Sequence, residues 1–112
     1  MQEEYFDVKE SDNGDLTIVL TNKKIDGITS NPIADSVINI ISTKNDVSKL
    51  IFDMDIVTYV ASAGLKMFTQ VSNVCRKKGI DFEIINLSKT IHKIFLLTGY
   101  ATVFDIRIKE DI

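Results

Sequence analysis

An α/β fold is predicted, with a single mixed and largely parallel sheet of about five strands, an opening hairpin, and helices packed on the sheet. Three observations carry it. Two β-rich stretches flank an Asn-Gly pair near the start, the hydrophobic period then alternates between strand and helix, and each change of period falls at turn or cap residues. With 112 residues and 45% hydrophobic content, the chain suits one domain over residues 1–112.

The elements follow in order. Tyr5 to Val8 reads as a short strand, "SDNGD" at Ser11 to Asp15 as a tight turn, and "LTIVLT" from Leu16 to Thr21 as its partner strand. Asn31 precedes Pro32, which suits a first helical turn, and Ile33, Val37, Ile40 and Ile41 form the apolar face of the helix that starts there. "KLIFDMD" from Lys49 to Asp55 holds a solid apolar run, as in a central strand covered on both faces. From Ala63 to Lys78 the apolar positions Met67, Phe68, Val71, Val74 and Cys75 recur at helical spacing, and Gly79 ends that helix. "IDFEIIN" from Ile80 to Asn86 is a strand, Ser88 caps a third helix running through Thr98 to Gly99, and "VFDIRI" from Val103 to Ile108 closes the sheet.

Charge and composition narrow the functional classes. A net charge of −3 and a pI near 5.0 disfavour nucleic acid and anionic lipid, which need concentrated basic surface. A protein partner is therefore expected, with no nucleic acid and no membrane. No apolar run approaches the roughly 18 to 20 residues of a membrane span, and "MQEEYFDV" is acidic where a secretory signal is basic and then apolar. One cysteine, Cys75, has no internal disulfide partner, so a reducing, cytoplasmic setting is expected. On an apolar helix face it reads as core. His92 has no second ligand at metal spacing and reads as a solvent-exposed polar position; no metal and no cofactor are expected. The chain has no phosphate-cradling glycine loop, no nucleophile elbow and no histidine base near a serine, which points to a non-enzymatic binding module.

The stretch "YVASAGLKMF", Tyr59 to Phe68, sets small residues around a hydroxyl where a strand hands over to a helix. Serine in that place is among the best N-caps, so Ser62 has a structural reading. The small run also leaves the helix start open to another protein. Gly64 either admits a partner or lets the turn pack tightly on the strand before it.

Strand "LIFDMD", loop "IVTYVA", "SAGLK" opening a helix that ends in "RKKG", strand "DFEIIN" and the close "LSKTIHKIFLLTGYATVFDI" together resemble the STAS domain of bacterial anti-sigma factor antagonists. The family's loop pattern is acidic-Ser-Ser-Gly-Leu, and its first serine is phosphorylated by a partner anti-sigma kinase. By that resemblance Ser62 is the phosphoacceptor, and Gly64 and Leu65 stand at the motif's glycine and leucine. Ala61 replaces the acidic residue, Ala63 replaces the second serine, and Asp26 in "KKIDG" matches the family's aspartate after the second strand.

What the resemblance implies is partner switching. The unphosphorylated domain, expected as a monomer, binds an anti-sigma factor that is a serine kinase and so frees the sigma factor; phosphorylation of Ser62 ends this until a serine phosphatase reverses it. The implied partner surface is Asp26, Thr58, Tyr59, Ala61, Ser62, Ala63, Gly64, Leu65 and Lys66, with Lys66 serving recognition or solubility. The same fold also serves as a scaffold or ligand-sensing module that is never phosphorylated. A third reading starts from "IFDMD": a receiver-like domain would accept a phosphoryl group on Asp53, but the acidic pair and lysine such a site needs are not in place, and strand-end aspartates commonly face water.

Overall fold

The computed structural model describes residues 5–109. Its main sheet has five strands, β1 (Phe6–Glu10), β2 (Asp15–Leu20), β4 (Lys49–Asp53), β6 (Asp81–Leu87) and β7 (Asp105–Ile108), in the order β1-β2-β4-β6-β7. Only the β1–β2 pair is antiparallel; β2–β4, β4–β6 and β6–β7 run parallel. The chain therefore does open with a hairpin and continue through parallel crossovers. Its turn takes residues 11–14, with the Gly14 N–H donating to the Ser11 carbonyl (3.2 Å).

Three helices connect these strands: α1 (Ser30–Thr43), α2 (Ser62–Lys78) and α3 (Lys89–Thr98), the last followed by a 3-10 turn, Tyr100–Thr102. Helix α1 buries Ile33, Ala34, Val37 and Ile41, while Ile40 is only half-buried. In α2 the buried positions are Gly64, Leu65, Met67, Phe68, Val71 and Cys75. The helix stops at Gly79, whose φ of +71° is left-handed backbone that glycine adopts without strain. Ser88 caps α3 as read from the sequence, its oxygen accepting the Ile91 N–H at 3.2 Å.

The sheet's two faces differ. Leu16, Ile18, Leu50, Phe52 and Ile84 point into one core shared with all three helices. Thr17, Val19, Ile51, Asp53 and Ile85 lie on the other face and are only half-buried. This corrects the expectation that "KLIFDMD" is covered on both faces: the strand is central, but its burial alternates, because the helices pack on one side. A further difference is the bulge between Ile84 and Leu87, with Asn86 at φ +60°. That extra residue shifts the alternation by one, so Leu87 enters the core. The last strand also starts later than Val103, which is exposed while Phe104 turns inward.

Aromatic packing fixes α2 on the sheet. Phe68 meets Phe52 of β4 edge-to-face at 5.2 Å, Phe95 of α3 at 6.1 Å and Phe104 at 6.5 Å. A helix locked in this way holds its N-terminus in a fixed place relative to the central strand.

Candidate functional site: the turn that opens α2

The first turn of α2 is positioned by a two-stranded ribbon that periodicity did not reveal. Lys24–Ile25 (β3) and Tyr59–Val60 (β5) pair in parallel, Lys24 opposite Tyr59 and Ile25 opposite Val60. Two-residue strands are too short for a period, and they read as loop in the sequence. Backbone bonds extend the ribbon at both ends. The Lys23 carbonyl accepts from the N–H of Thr58 (2.8 Å) and of Tyr59 (3.2 Å), and the Ile25 carbonyl accepts from Ala61 (2.9 Å). Buried Met54, Val57 and Val60 anchor the same segment from below. Thr58, Tyr59 and Ser62 are left facing outward.

Within the small-residue run, Gly64 has a steric reason. A Cβ there would lie 2.8 Å from Val60 Cγ1, 2.9 Å from Ile25 Cγ2 and 2.9 Å from the Ile25 carbonyl oxygen. Of the two readings offered for this glycine, tight packing of the turn on a strand is the one realised, because the helix backbone sits directly on β3.

Ser62 is exposed and is the first residue of α2, not its cap. The N-cap position falls on Ala61 (φ −87°, ψ 174°), which has no side chain able to bond the turn. The cap reading of Ser62 is therefore corrected. Its backbone is already helical, and its hydroxyl bonds no described residue. The Ala61 carbonyl takes the N–H of Gly64 (2.9 Å) and Leu65 (3.2 Å), while the N–H groups of Ser62 and Ala63 open the helix without such a partner. The result is an exposed hydroxyl beside two helix N–H donors and the positive end of a helix dipole, a place that suits an added anion.

Asp26 has a structural task. Its Oδ1 accepts the N–H of Ile28 (3.0 Å) and Thr29 (3.2 Å), while Thr29 Oγ1 accepts the Asp26 N–H at 3.0 Å. This reciprocal pair works like a capping box for the turn leading into α1. The backbone bonds from Ile28 and Thr29 hold its carboxyl below the usual carboxylate range. A folded-state pKa that is depressed means the stabilisation is present above the unfolded value and is lost as pH falls through the folded one. Asp26→Ala is thus expected to lower stability at neutral pH, with the difference from the parent shrinking as both are acidified. Urea unfolding across that range checks it, and a difference independent of pH would refute it.

The remaining sequence-derived positions divide by burial. Leu65 and Gly64 are buried, Ala61 and Ala63 half-buried, and Thr58, Tyr59, Ser62 and Lys66 exposed. Sequence reasoning missed Ile28, 78% exposed beside Asp26, and the outward Lys23–Lys24 pair brought alongside Tyr59 by the ribbon. Asp53 lies elsewhere. Its Oδ1 accepts Asn86 Nδ2 (3.0 Å) and the Asp55 N–H (3.0 Å), and Asp55 pairs with Lys109 (2.8 Å). These are strand-end contacts, and the antiparallel β1–β2 pair departs from the all-parallel sheet of a receiver.

Two side readings are also resolved. Cys75 is fully buried, and burial pushes its thiol up to about 11. It should resist thiol reagents at neutral pH until the protein unfolds; fast labelling of the native protein would contradict this packing. His92 is half-buried on α3 rather than solvent-exposed.

The STAS-domain family model matches residues 5–112, and the chain belongs to that family. Its fold is similar to the anti-sigma factor antagonist SpoIIAA in its unphosphorylated form, with a TM-score of 0.76 and 16% identity over 90% of this chain and 86% of that one. An anti-sigma factor antagonist from Mycobacterium paratuberculosis gives 0.73 and 19% over 91% and 83%. The Bacillus cell fate determinant SpoIIAA in its phosphorylated form gives 0.66 and 16% over 90% and 89%. Among the described residues no helix is long and apolar enough to cross a membrane, and no cluster of three metal-ligating side chains occurs.

Proposed function

We propose that this protein is an anti-sigma factor antagonist whose partner binding is switched at Ser62. The observation that carries it is the exposed, unbonded hydroxyl of Ser62 at the start of α2, two residues before a glycine that has a packing reason of its own. Similarity to SpoIIAA, known in both an unphosphorylated and a phosphorylated form, supports the same reading. Unphosphorylated, the protein binds an anti-sigma factor serine kinase through the loop from Thr58 to Lys66, and the sigma factor is released. Phosphorylated, it is refused until a serine phosphatase acts. The protein itself is a binding module, and its partners supply the chemistry in the cytoplasm.

The hydroxyl's chemistry fits phosphoryl transfer from ATP. The kinase's base takes the Ser62 proton, Oγ bonds the γ-phosphorus, and ADP leaves with the bridging oxygen. This chain contributes an accessible nucleophile on a rigid turn, with the N–H groups of Ser62 and Ala63 beside the incoming phosphate. A phosphoserine adds about −1.5 to −2 charges there.

Incubation with the kinase and ATP is expected to add one acid-stable phosphate, on Ser62, located by peptide mass spectrometry. An acid-labile phosphate on Asp53 would favour the receiver-like reading. Absence of transfer from every kinase of the source organism would leave the scaffold reading.

A further inference from the structure

The charge around Ser62 opposes that of the whole molecule. The chain carries a net −3, yet the exposed side chains bordering the loop include Lys23, Lys24 and Lys66. Lys24 stands opposite Tyr59 in the ribbon, Lys23 holds Thr58 and Tyr59 through its carbonyl, and Lys66 lies one helical turn beyond Ser62. None of the three makes an ion pair with a described residue. The carboxylate that faces Lys24 is Asp26, and it is engaged by backbone N–H groups.

Helix dipoles do not account for this placement. Cations are welcome at helix C-termini, and Arg76, Lys77 and Lys78 sit at that end of α2 for that reason. Lys23, Lys24 and Lys66 instead lie near the N-termini of α1 and α2, where acids are favoured, and neither helix has an acid in its first turn. Two exposed apolar side chains share this region: Tyr59 (49%), opposite Lys24 in the ribbon, and Ile28 (78%), whose N–H donates to Asp26 in the turn before α1. Exposed apolar side chains accompanied by charges of one sign suit a steered protein interface.

We infer that the docking face of the partner is acidic: carboxylates on the anti-sigma factor kinase meet Lys23, Lys24 and Lys66, while Ile28 and Tyr59 supply the apolar contact. This rests on the partner-switching reading above and adds the chemistry of its partner. It also gives the switch an electrostatic part. Three lysines against Asp26 leave the rim positive by about two charges, and a phosphate on Ser62 of about −1.5 to −2 cancels that excess. The phosphorylated face thus loses its attraction for an acidic surface as well as its fit.

The test uses association kinetics with the recombinant kinase that phosphorylates Ser62. The combined variant Lys23→Glu, Lys24→Glu and Lys66→Glu is expected to associate at least about 10-fold more slowly at low salt, with an unchanged circular dichroism spectrum, and the parent should slow as salt is raised. If Ser62→Asp abolishes binding while the lysine variant associates like the parent at all salts, the acidic-partner inference fails and partner switching stands. If neither affects binding, both fail. A second readout needs no kinase: hexaglutamate titrated into the isotope-labelled protein at low salt should shift the amides of Lys23, Lys24, Tyr59 and Lys66 first. Shifts centred instead on Arg76 to Lys78, or co-sedimentation with phosphatidylserine vesicles that the lysine variant abolishes, would overturn the assignment.

Discussion

Ser62→Asp is expected to weaken binding of the kinase by about 2–5 kcal/mol, on the order of 30-fold to several thousandfold, because it sets a carboxylate where the partner must dock, adding desolvation and like-charge contact to the interface. The paired variant is as informative. Ser62→Ala removes a hydroxyl that bonds no described residue and caps nothing, so binding should stay within a few-fold of the parent and stability within about 0.5 kcal/mol. Calorimetric titration with the kinase and thermal melts of both variants measure the two effects. Parent-like binding by both would place the interface away from this loop.

Gly64→Val should be the most damaging single change to the fold near the site. A Cβ alone meets Val60, Ile25 and the Ile25 carbonyl at 2.8–2.9 Å, and that carbonyl is held by the Ala61 N–H. The atoms met are branched side chains of buried residues and a bonded carbonyl, not the far ends of flexible side chains. Overpacking of this kind costs about 3 kcal/mol, which lowers Tm by roughly 12–24 °C in a domain of this size. Alanine would be milder, since it regains up to ~1 kcal/mol of helix propensity against the same clash. A Gly64→Val protein melting with the parent would show that α2 does not rest on β3 as described. The variant also separates packing from recognition: any loss of partner binding must be compared at temperatures where the fold is intact.

Much of this architecture was legible because its elements are long enough to carry a period. Helix α2 announced itself through Met67, Phe68, Val71 and Cys75, all four buried, and through Gly79, which takes the left-handed backbone expected of a helix end. Ser88 was legible as a cap because a strand ends just before it and an apolar helical face begins just after. The hairpin was legible from Asn13 and Gly14 between a short strand and the β-branched run Leu16 to Thr21. Local chemistry of this kind depends on neighbours within a few residues, and a single chain displays them all.

Ser62 shows the other limit. Its place near a helix start was plain, but capping depends on a shift of one residue, and the backbone of Ala61 decided it by staying extended through its bond to the Ile25 carbonyl. That bond joins residues 36 positions apart, which no local pattern encodes. The same long-range pairing of β3 with β5 set Lys24 against Tyr59, turned Gly64 into a close contact with Ile25, and gathered a basic rim on an acidic protein. The sequence by itself determined the strands and helices long enough to show a period, the helix ends and the candidate hydroxyl, since these follow from periodicity, turn residues and a short motif. Only the tertiary structure decided that the hydroxyl is unbonded and outward and which charges surround the loop, because each of these depends on distances between segments far apart along the chain.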